Sequence, residues 1–271
     1  MSQQHDYVLG TDEEELERLG LQHRVWRPEV LKAWSEAGIT LGSRVVDLGC
    51  GPGYATVDLA EIVGPHGAVL GIERSQRFLN FARTECQRRG FQNVELMEAD
   101  LTGEIEFSLP FDAVWCRWVA CFMADLGPLL RHISDALRPG GTALFHEYAD
   151  YSTWRSIPES PRLLSFVFEV MKNWRGSGGE PDIVFALLPR LKAAGFEIVE
   201  TKPIIFAVNP GNFMWQWPRS FVRSHVKRLV ESNYVSEVWA KEVVEEFDRL
   251  GDSPDSVMLT PMVLQIVARK V

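Results

Sequence analysis

The sequence predicts an α/β protein: a doubly wound, mostly parallel sheet with helices on both faces. Three observations predict it. Short β-branched runs alternate with helical stretches between residues 44 and 148. A glycine-rich turn, Gly49-Cys50-Gly51-Pro52-Gly53, joins the first run to the helix after it. Acidic residues recur near the ends of consecutive runs, as Asp47, Glu73 and Asp100. Alternating strands and helices imply parallel pairing, because the crossover helices cover the sheet faces.

The elements follow in order. A first helix begins near Thr11, where Thr11 and Glu14 fit a capping box, and Leu16, Leu19, Val25 and Trp26 form its apolar stripe. Pro28 suits the first turn of a second helix that Gly38 ends. Arg44–Leu48 is a strand, followed by the glycine turn and a helix to about Val63. Ala68–Ile72 is the next strand, and Ser75 caps a helix that stops at Gly90. Val94–Ala99 and Phe111–Cys116 are strands; a helix runs from about Asp125 to Leu137. Arg138-Pro139-Gly140-Gly141 is a turn before the strand Thr142–Tyr148.

The second half is less regular. Residues 160–175 read as a helix, Gly176-Ser177-Gly178-Gly179 as a break, and Asp182–Ala194 as a helix. Phe196–Val208 is a strand, 212–250 are helices, and Met262–Arg269 is the last strand. Roughly 50 residues between the last two strands far exceed the ~4–6 of an ordinary connection and read as part of a cap or lid. The expected organisation is a helical lid over 1–40 and a main domain over 41–271, with cap insertions at about 150–180 and 210–260.

Composition sets the class. With 271 residues, 46% hydrophobic and 24% charged, the chain is that of an ordinary globular protein. Its formal net charge of -9 argues against gripping nucleic acid, which needs surplus Lys and Arg. No apolar run approaches the ~20 residues of a membrane span, and the acidic start does not resemble a signal peptide. Cys50, Cys86, Cys116 and Cys121 form no C-x-x-C pair, so neither a zinc ribbon nor a redox pair is indicated. The expectation is a reduced, cytoplasmic protein with a small-molecule partner, no nucleic acid, no membrane span and no metal site.

The glycine loop carries the chemistry. A dinucleotide fingerprint needs glycine at position 54, which is Tyr54; here Gly49, Gly51 and Gly53 alternate instead. That spacing disfavours an NAD-dependent oxidoreductase. Asp47, two residues before Gly49, sits poorly beside a pyrophosphate and well beside a cation. Glu73 ends the second strand, where a carboxylate accepts hydrogen bonds from ribose hydroxyls. Asp100 ends the third, placed for an adenine amine. Three acids at the carboxyl ends of consecutive strands point to a nucleoside ligand.

With these residues in hand, the sequence resembles the class I S-adenosylmethionine-dependent methyltransferases. The matching stretches are VVDLGCGPGYATVDLA, LGIERS, VELMEADL, FDAVWCRWVACFMAD and LRPGGTALFHEY, in the family's order over about residues 40–150. The segments YVLG...ELERL and GEPDIVFALLPRLKAAGFEIV resemble its small-molecule branch, which includes quinone-biosynthesis and natural-product enzymes. The resemblance implies a Rossmann-like seven-stranded sheet with the last strand antiparallel. It implies S-adenosyl-L-methionine as cofactor and S-adenosyl-L-homocysteine as product. It places Gly49, Cys50, Gly51 and Gly53 around the methionine part, with Asp47 orienting the loop and balancing positive charge. Glu73 then holds the ribose, Arg74 and Leu101 pack near the adenine, and Asp100 bonds its amine. Main chain around Cys116–Arg117 faces the methionine ammonium, and Tyr7, just before the lid helix, is a further cofactor-binding residue. The N-P-P-Y type motif is replaced by Cys116-Arg117-Trp118-Val119.

Methyl transfer from a sulfonium is an in-line displacement that needs alignment, desolvation and, for some acceptors, a base. Candidate bases are His146, Glu147 and Tyr148; the bland alternative makes His146 a satisfied core histidine and packs Tyr148 under the cap. Arg117 binds an acceptor carboxylate or, preferably, pairs with an acid of the N-terminal helix. Trp118, Trp154, Trp174, Phe213 and Trp217 are candidates for an acceptor pocket, against ordinary packing. Gln22 and Arg24 reach the cofactor carboxylate or are solvated; His5 and His23 read as solvated. Cys116 and Cys121 read as small buried residues. The leading function is methyl transfer to a small aromatic or hydrophobic acceptor. Alternatives are a protein or RNA methyltransferase, and a non-catalytic protein that binds the cofactor.

Overall fold

The computed structural model describes residues 12–271. His5, Tyr7 and Thr11 lie outside the described residues. Helix α1 covers Glu13–Glu36, and the Asp12 carboxylate accepts the Glu15 N–H at 2.8 Å. Three glutamates in its first turn complement the positive helix end. Two helices separated at Pro28 were expected; Pro28 instead lies inside one helix. A proline removes one backbone bond and disfavours a helix interior. Here Trp26, Val30, Ala33 and Trp34 are all fully buried, and burial of an apolar face supplies most helix stability in proteins.

The strands are β1 (Arg44–Leu48), β2 (Ala68–Glu73), β3 (Val94–Glu98), β4 (Phe111–Arg117), β5 (Leu137–Asp150), β6 (Arg155–Ile157), β7 (Phe196–Ile204), β8 (Ala207–Val208), β9 (Val257–Leu259) and β10 (Met262–Lys270). The remaining helices are α2 (Tyr54–Val63), α3 (Gln76–Arg89), α4 (Gly127–Ala136), α5 (Pro161–Gly176), α6 (Val184–Ala193), α7 (Gln216–Glu231) and α8 (Glu237–Asp252). The chain divides into two units. Of the described residues, the larger takes 28–153, 170–205 and 261–271; the smaller takes 12–27, 154–169 and 206–260.

The larger unit holds a seven-stranded sheet of order β3-β2-β1-β4-β5-β10-β7. β1 to β5 pair in parallel, and β10 runs antiparallel to both β5 and β7. This is the doubly wound sheet with an antiparallel last strand that the sequence predicts. Strand order reverses between β1 and β4, which opens a crevice beyond their carboxyl ends. Ser75 accepts the Phe78 N–H and Gly90 closes α3 in the left-handed conformation, both as expected. Arg138-Pro139-Gly140-Gly141 falls within the span of β5 but has no strand partner: pairing with β4 jumps from Phe111↔Leu137 to Ala113↔Thr142, and Gly140 is left-handed, so the expected turn is a bulge at the start of the strand.

The smaller unit carries a three-stranded antiparallel sheet, β6-β9-β8, that sequence reading did not separate. The expected strand Phe196–Val208 is two strands in two sheets, parted where the Phe206 N–H turns to Thr260 Oγ1 at 3.1 Å. An apolar run announces extended backbone but not which edge it will join. Around this sheet Trp154 packs edge-on to Phe166, and Trp26 edge-on to Trp217.

The larger unit's core gives a direct stability test. Trp34 is fully buried and meets Trp115 edge-on at 5.6 Å. Trp34→Ala is expected to destabilise the protein by about 3–5 kcal/mol through lost transfer energy and the cavity left behind. Urea unfolding followed by circular dichroism measures it; a loss below about 1 kcal/mol would place Trp34 outside the core.

Candidate functional site

The site is built on four strand ends of the larger unit. Asp47 on β1 lies opposite Gly71 of β2 and Trp115 of β4, so the carboxyl ends of all three strands are level. β1 runs into the glycine loop and then α2, whose N-cap, Gly53, is left-handed and has no side-chain cap. Gly51 has φ +55, and a Cβ added there would meet no atom of the described residues beyond its chain neighbours within 4 Å. The loop therefore presents bare backbone on an open face. Gly49 is constrained differently, because a Cβ there would lie 2.5 Å from Val119 Cγ2.

The three acids are held in three ways. Asp47 is buried and accepts Thr56 Oγ1–H at 2.7 Å, which ties the strand end to the first turn of α2. Burial pushes its carboxyl up to about 7, against the Thr56 hydrogen bond and the positive charge of Arg117. Such a carboxyl gains most from a cation placed beside it. Glu73 accepts the Ser75 N–H at 2.8 Å and the Gly51 N–H at 3.1 Å, so it braces the glycine loop. Burial raises its carboxyl too, and these hydrogen bonds pull it back. A carboxylate offers about four acceptor positions, so two remain for ligand hydroxyls. Asp100 is exposed and accepts both the N–H and the hydroxyl of Thr102, at 2.9 and 2.8 Å. Its partial burial raises the carboxyl, but Thr102 and Arg74 outweigh that and hold it below the usual range. Thr56 and Thr102 were missed in the sequence. Their signal was position: the first turn after the glycine loop, and two residues past the third acid.

The fourth strand end is strained. Trp118 follows β4 with φ +51, a conformation that costs a non-glycine residue about 1–3 kcal/mol. Its ring stacks on Tyr148 at 5.6 Å, and its N–H donates to the His146 carbonyl at 3.0 Å. The next two amides, Val119 and Ala120, both donate to Glu147 Oε1 at 2.9 Å. Trp174 and Tyr151 pack edge-on to Tyr148, so Trp118 and Trp174 share one aromatic cluster with Tyr148. The Arg117 guanidinium lies 5.1 Å over Trp118 and 6.0 Å over Trp115. Burial pushes it down to about 10, and it stays charged at neutral pH; Asp47, Tyr148 and Asp58 are the described groups that offset this. Acids of the sheet and of α2, Asp47 and Asp58, thus act on Arg117. Burial pushes the Cys50, Cys116 and Cys121 thiols up, so none is a ready thiolate.

Several expectations are corrected. His146 is 0% exposed, edge-on to Trp115, with Nε2 3.3 Å from Gln265 Oε1. The Gln265 amide nitrogen donates to Glu36, which leaves its oxygen to accept from a protonated His146 Nε2. Burial drives this imidazole down to about 3, so it stays neutral. It lies inside the core of the larger unit. Glu147 is also 0% exposed and serves the Val119 and Ala120 amides, while burial lifts it to about 7. It is a brace for the strained loop. Glu147→Gln keeps an accepting oxygen and is expected to retain binding of S-adenosylhomocysteine within a few-fold. Glu147→Ala strands two buried N–H groups, at about 1–3 kcal/mol each, and is expected to lose both stability and affinity. Equal losses in the two variants would return Glu147 to a direct chemical role.

In the smaller unit, Gln22 is buried and not solvated: its carbonyl accepts from Arg18 at 2.9 Å and from Trp217 Nε1 at 3.2 Å. His23 is buried as well, whereas Arg24 is exposed. The Trp154 indole N–H points to Met258 Sδ at 3.2 Å, and Phe213 is 55% exposed. Trp154 and Trp217 therefore belong to that unit's core, and Phe213 to its surface.

A family model described as a methyltransferase domain matches residues 39–175, just over half of the chain. Demethylmenaquinone methyltransferase of Geobacillus stearothermophilus is 27% identical over 201 residues, 69% of this chain and 83% of that protein. Its counterpart from Lactococcus lactis is 31% identical over 120 residues, which span less than half of either chain (44% and 46%). Among solved structures, geranyl diphosphate C-methyltransferase from Streptomyces coelicolor superposes with a TM-score of 0.60 at 15% identity, covering 92% of this chain and 77% of that one. The [4+2]-cyclase SpnF superposes with a TM-score of 0.54 at 20% identity, covering 88% and 79%. At those identities the two structures testify to the fold alone. The family match takes in strands β1 to β5, the glycine loop and the three acids just described, and the chain belongs to this methyltransferase family, the class I S-adenosylmethionine-dependent enzymes.

Proposed function

We propose that the protein transfers a methyl group from S-adenosylmethionine to a small, flat, apolar acceptor. The observation that carries this is the ring of Asp47, Glu73 and Asp100 around a glycine loop whose Gly51 faces open space. A bound S-adenosylmethionine supplies an electrophilic methyl on a sulfonium. In this reading Asp47 offsets its positive charge, Glu73 holds the ribose hydroxyls, and Asp100 accepts from the adenine amine. Gly49, Cys50, Gly51 and Gly53 pass backbone along the methionine part; Arg74 and Leu101 flank the base, and Cys116–Arg117 main chain faces the ammonium.

With His146 and Glu147 committed inside the protein, neither supplies a base at the strand ends. That favours an acceptor already nucleophilic, such as an electron-rich aromatic carbon or hydroxyl, for which alignment and desolvation suffice. The cluster of Trp118, Tyr148 and Trp174 suits such a ring. The relatives named for demethylmenaquinone point the same way. No helix among the described residues is long and apolar enough to cross a membrane.

Calorimetric titration with S-adenosylmethionine, S-adenosylhomocysteine and NAD tests the cofactor half. Binding of the two adenosyl ligands without NAD is expected. A panel of naphthols, hydroquinones, amines and thiols, read by mass for one added methyl group, tests the acceptor half. Absence of adenosyl-ligand binding sinks the reading. Methylation confined to amines or thiols would replace the acceptor class.

A further inference from the structure

Two loops leave the larger unit's sheet side by side where its strand order reverses. Leu48 of β1 lies opposite Cys116 of β4, so the glycine loop and the segment after β4 begin level with each other. Trp118 then takes φ +51, and its N–H turns to the His146 carbonyl. Val119, the next residue, meets the glycine loop. A Cβ added at Gly49 would lie 2.5 Å from Val119 Cγ2, 3.4 Å from its Cγ1 and 3.6 Å from its Cβ. The Val119 side chain thus occupies the space in which a Gly49 side chain would stand.

Val119 is fixed from its other side. Its N–H and that of Ala120 both donate to Glu147 Oε1 at 2.9 Å, and Glu147 is fully buried. The glycine loop is therefore held at two points. Glu73 accepts the Gly51 N–H, and Val119 packs on Gly49, whose φ of +63 suits glycine alone without strain. Gly49 and Val119 both keep part of their surface exposed, and they stand where a ligand enters the crevice beyond the carboxyl ends of β1 and β4. A loop already fixed when its ligand arrives loses little affinity to ordering.

We propose that Val119 is a positioning residue for the cofactor: by filling the place of the missing Gly49 side chain, it sets the separation of the two loops and so the width of the crevice that receives the methionine part. This role rests on the function proposed above; the packing of Val119 on Gly49 does not.

The test is a cycle of variants in the full-length protein, read by calorimetric titration with S-adenosylhomocysteine and by thermal melting. Val119→Thr keeps a branched side chain over Gly49 and is expected to bind as the wild type does. Val119→Ala removes both branch atoms and is expected to bind about tenfold more weakly. Its ligand-free melting temperature is expected to fall by no more than about 4 °C, because the side chain is only half-buried. Gly49→Ala forces a methyl group against Val119 Cγ2 and is expected to weaken binding by more than about tenfold. Combining the two substitutions leaves the Cβ of residue 119 at 3.6 Å, an ordinary contact. The double variant is therefore expected to bind about tenfold more tightly than Gly49→Ala alone, a coupling typical of residues in contact. A Val119 that served stability only would lower the melting temperature and leave affinity unmoved. The positioning role is overturned if Val119→Ala binds within about twofold of wild type, or if adding it to Gly49→Ala brings no recovery. Should Gly49→Ala fail to fold, Val119→Ala against Val119→Thr decides. Wild-type protein that binds no S-adenosylhomocysteine removes the methyltransferase reading and the positioning role together. Wild-type binding that Val119→Ala leaves unaltered removes the positioning role alone.

Discussion

Gly51→Val is expected to weaken S-adenosylhomocysteine binding by more than about a hundredfold, equivalent to about 2.7 kcal/mol, while the protein stays folded. Gly51 has φ +55, so a side chain there carries the left-handed penalty of about 1–2 kcal/mol. That penalty is spread over a large domain, in which each kcal/mol moves the melting temperature by about 2–4 °C. Among the described residues no atom beyond the chain neighbours lies within 4 Å of the added Cβ, so the described fold raises no further objection. The added methyl groups enter the open face of the loop, where the proposed site holds the cofactor's methionine part. Gly49→Val is the contrast. Its Cβ falls 2.5 Å from Val119 Cγ2, and the Val119 amide is one of the two that Glu147 holds. That variant is expected to lose stability as well as affinity. Calorimetry paired with thermal melting separates the two. Gly51→Val binding within threefold of wild type would mean that the ligand does not approach this face of the loop.

The second large effect is a pH dependence set by Asp47. Its carboxyl is pushed up to about 7 by burial, with Thr56 and Arg117 opposing and Glu73 adding to the rise. An acid raised on folding stabilises the folded state fully below its ordinary unfolded value. That contribution is lost as pH rises through about 7, where a buried carboxylate must form. A cation bound beside it favours the carboxylate, so cofactor binding releases a proton wherever Asp47 is still protonated. Affinity for S-adenosylmethionine is therefore expected to rise with pH up to about 7 and then level, falling up to tenfold per unit below. S-adenosylhomocysteine lacks the sulfonium charge and is expected to show a shallower slope. Asp47→Asn keeps an oxygen for the Thr56 hydroxyl and cannot ionise; its profile is expected to be flat and low, with better ligand-free stability above pH 7. Titrations between pH 5.5 and 8.5 in buffers of different ionisation enthalpy measure both affinity and proton release. An unchanged slope in Asp47→Asn would assign the titration to another group, with Glu147, also lifted to about 7, the first to examine.

The scaffold of the site was legible because its signals are local. Strand alternation, the glycines at 49, 51 and 53, Ser75 before α3 and Gly90 after it each depend on a few neighbouring residues. So does the placement of Asp47, Glu73 and Asp100, since a strand end is defined by the run that precedes it. The fates of His146, Glu147 and Gln22 were not local. His146 meets Gln265 across β5 and β10, and Glu147 reaches back to amides just beyond β4. Gln22 accepts from Trp217 of another helix.

Sequence by itself thus determined the doubly wound sheet and placed the glycine loop and three acids at its strand ends, because backbone conformation and strand polarity follow from short-range pattern. The tertiary structure alone decided which polar side chains are buried and which partners they meet there. It also decided that Phe196–Val208 divides between two sheets and that α1 runs through Pro28. Burial and hydrogen-bond satisfaction are set by groups far apart along the chain, and a side chain's chemistry changes with them: the same imidazole is a base in water and a neutral core ring beside Trp115 and Gln265.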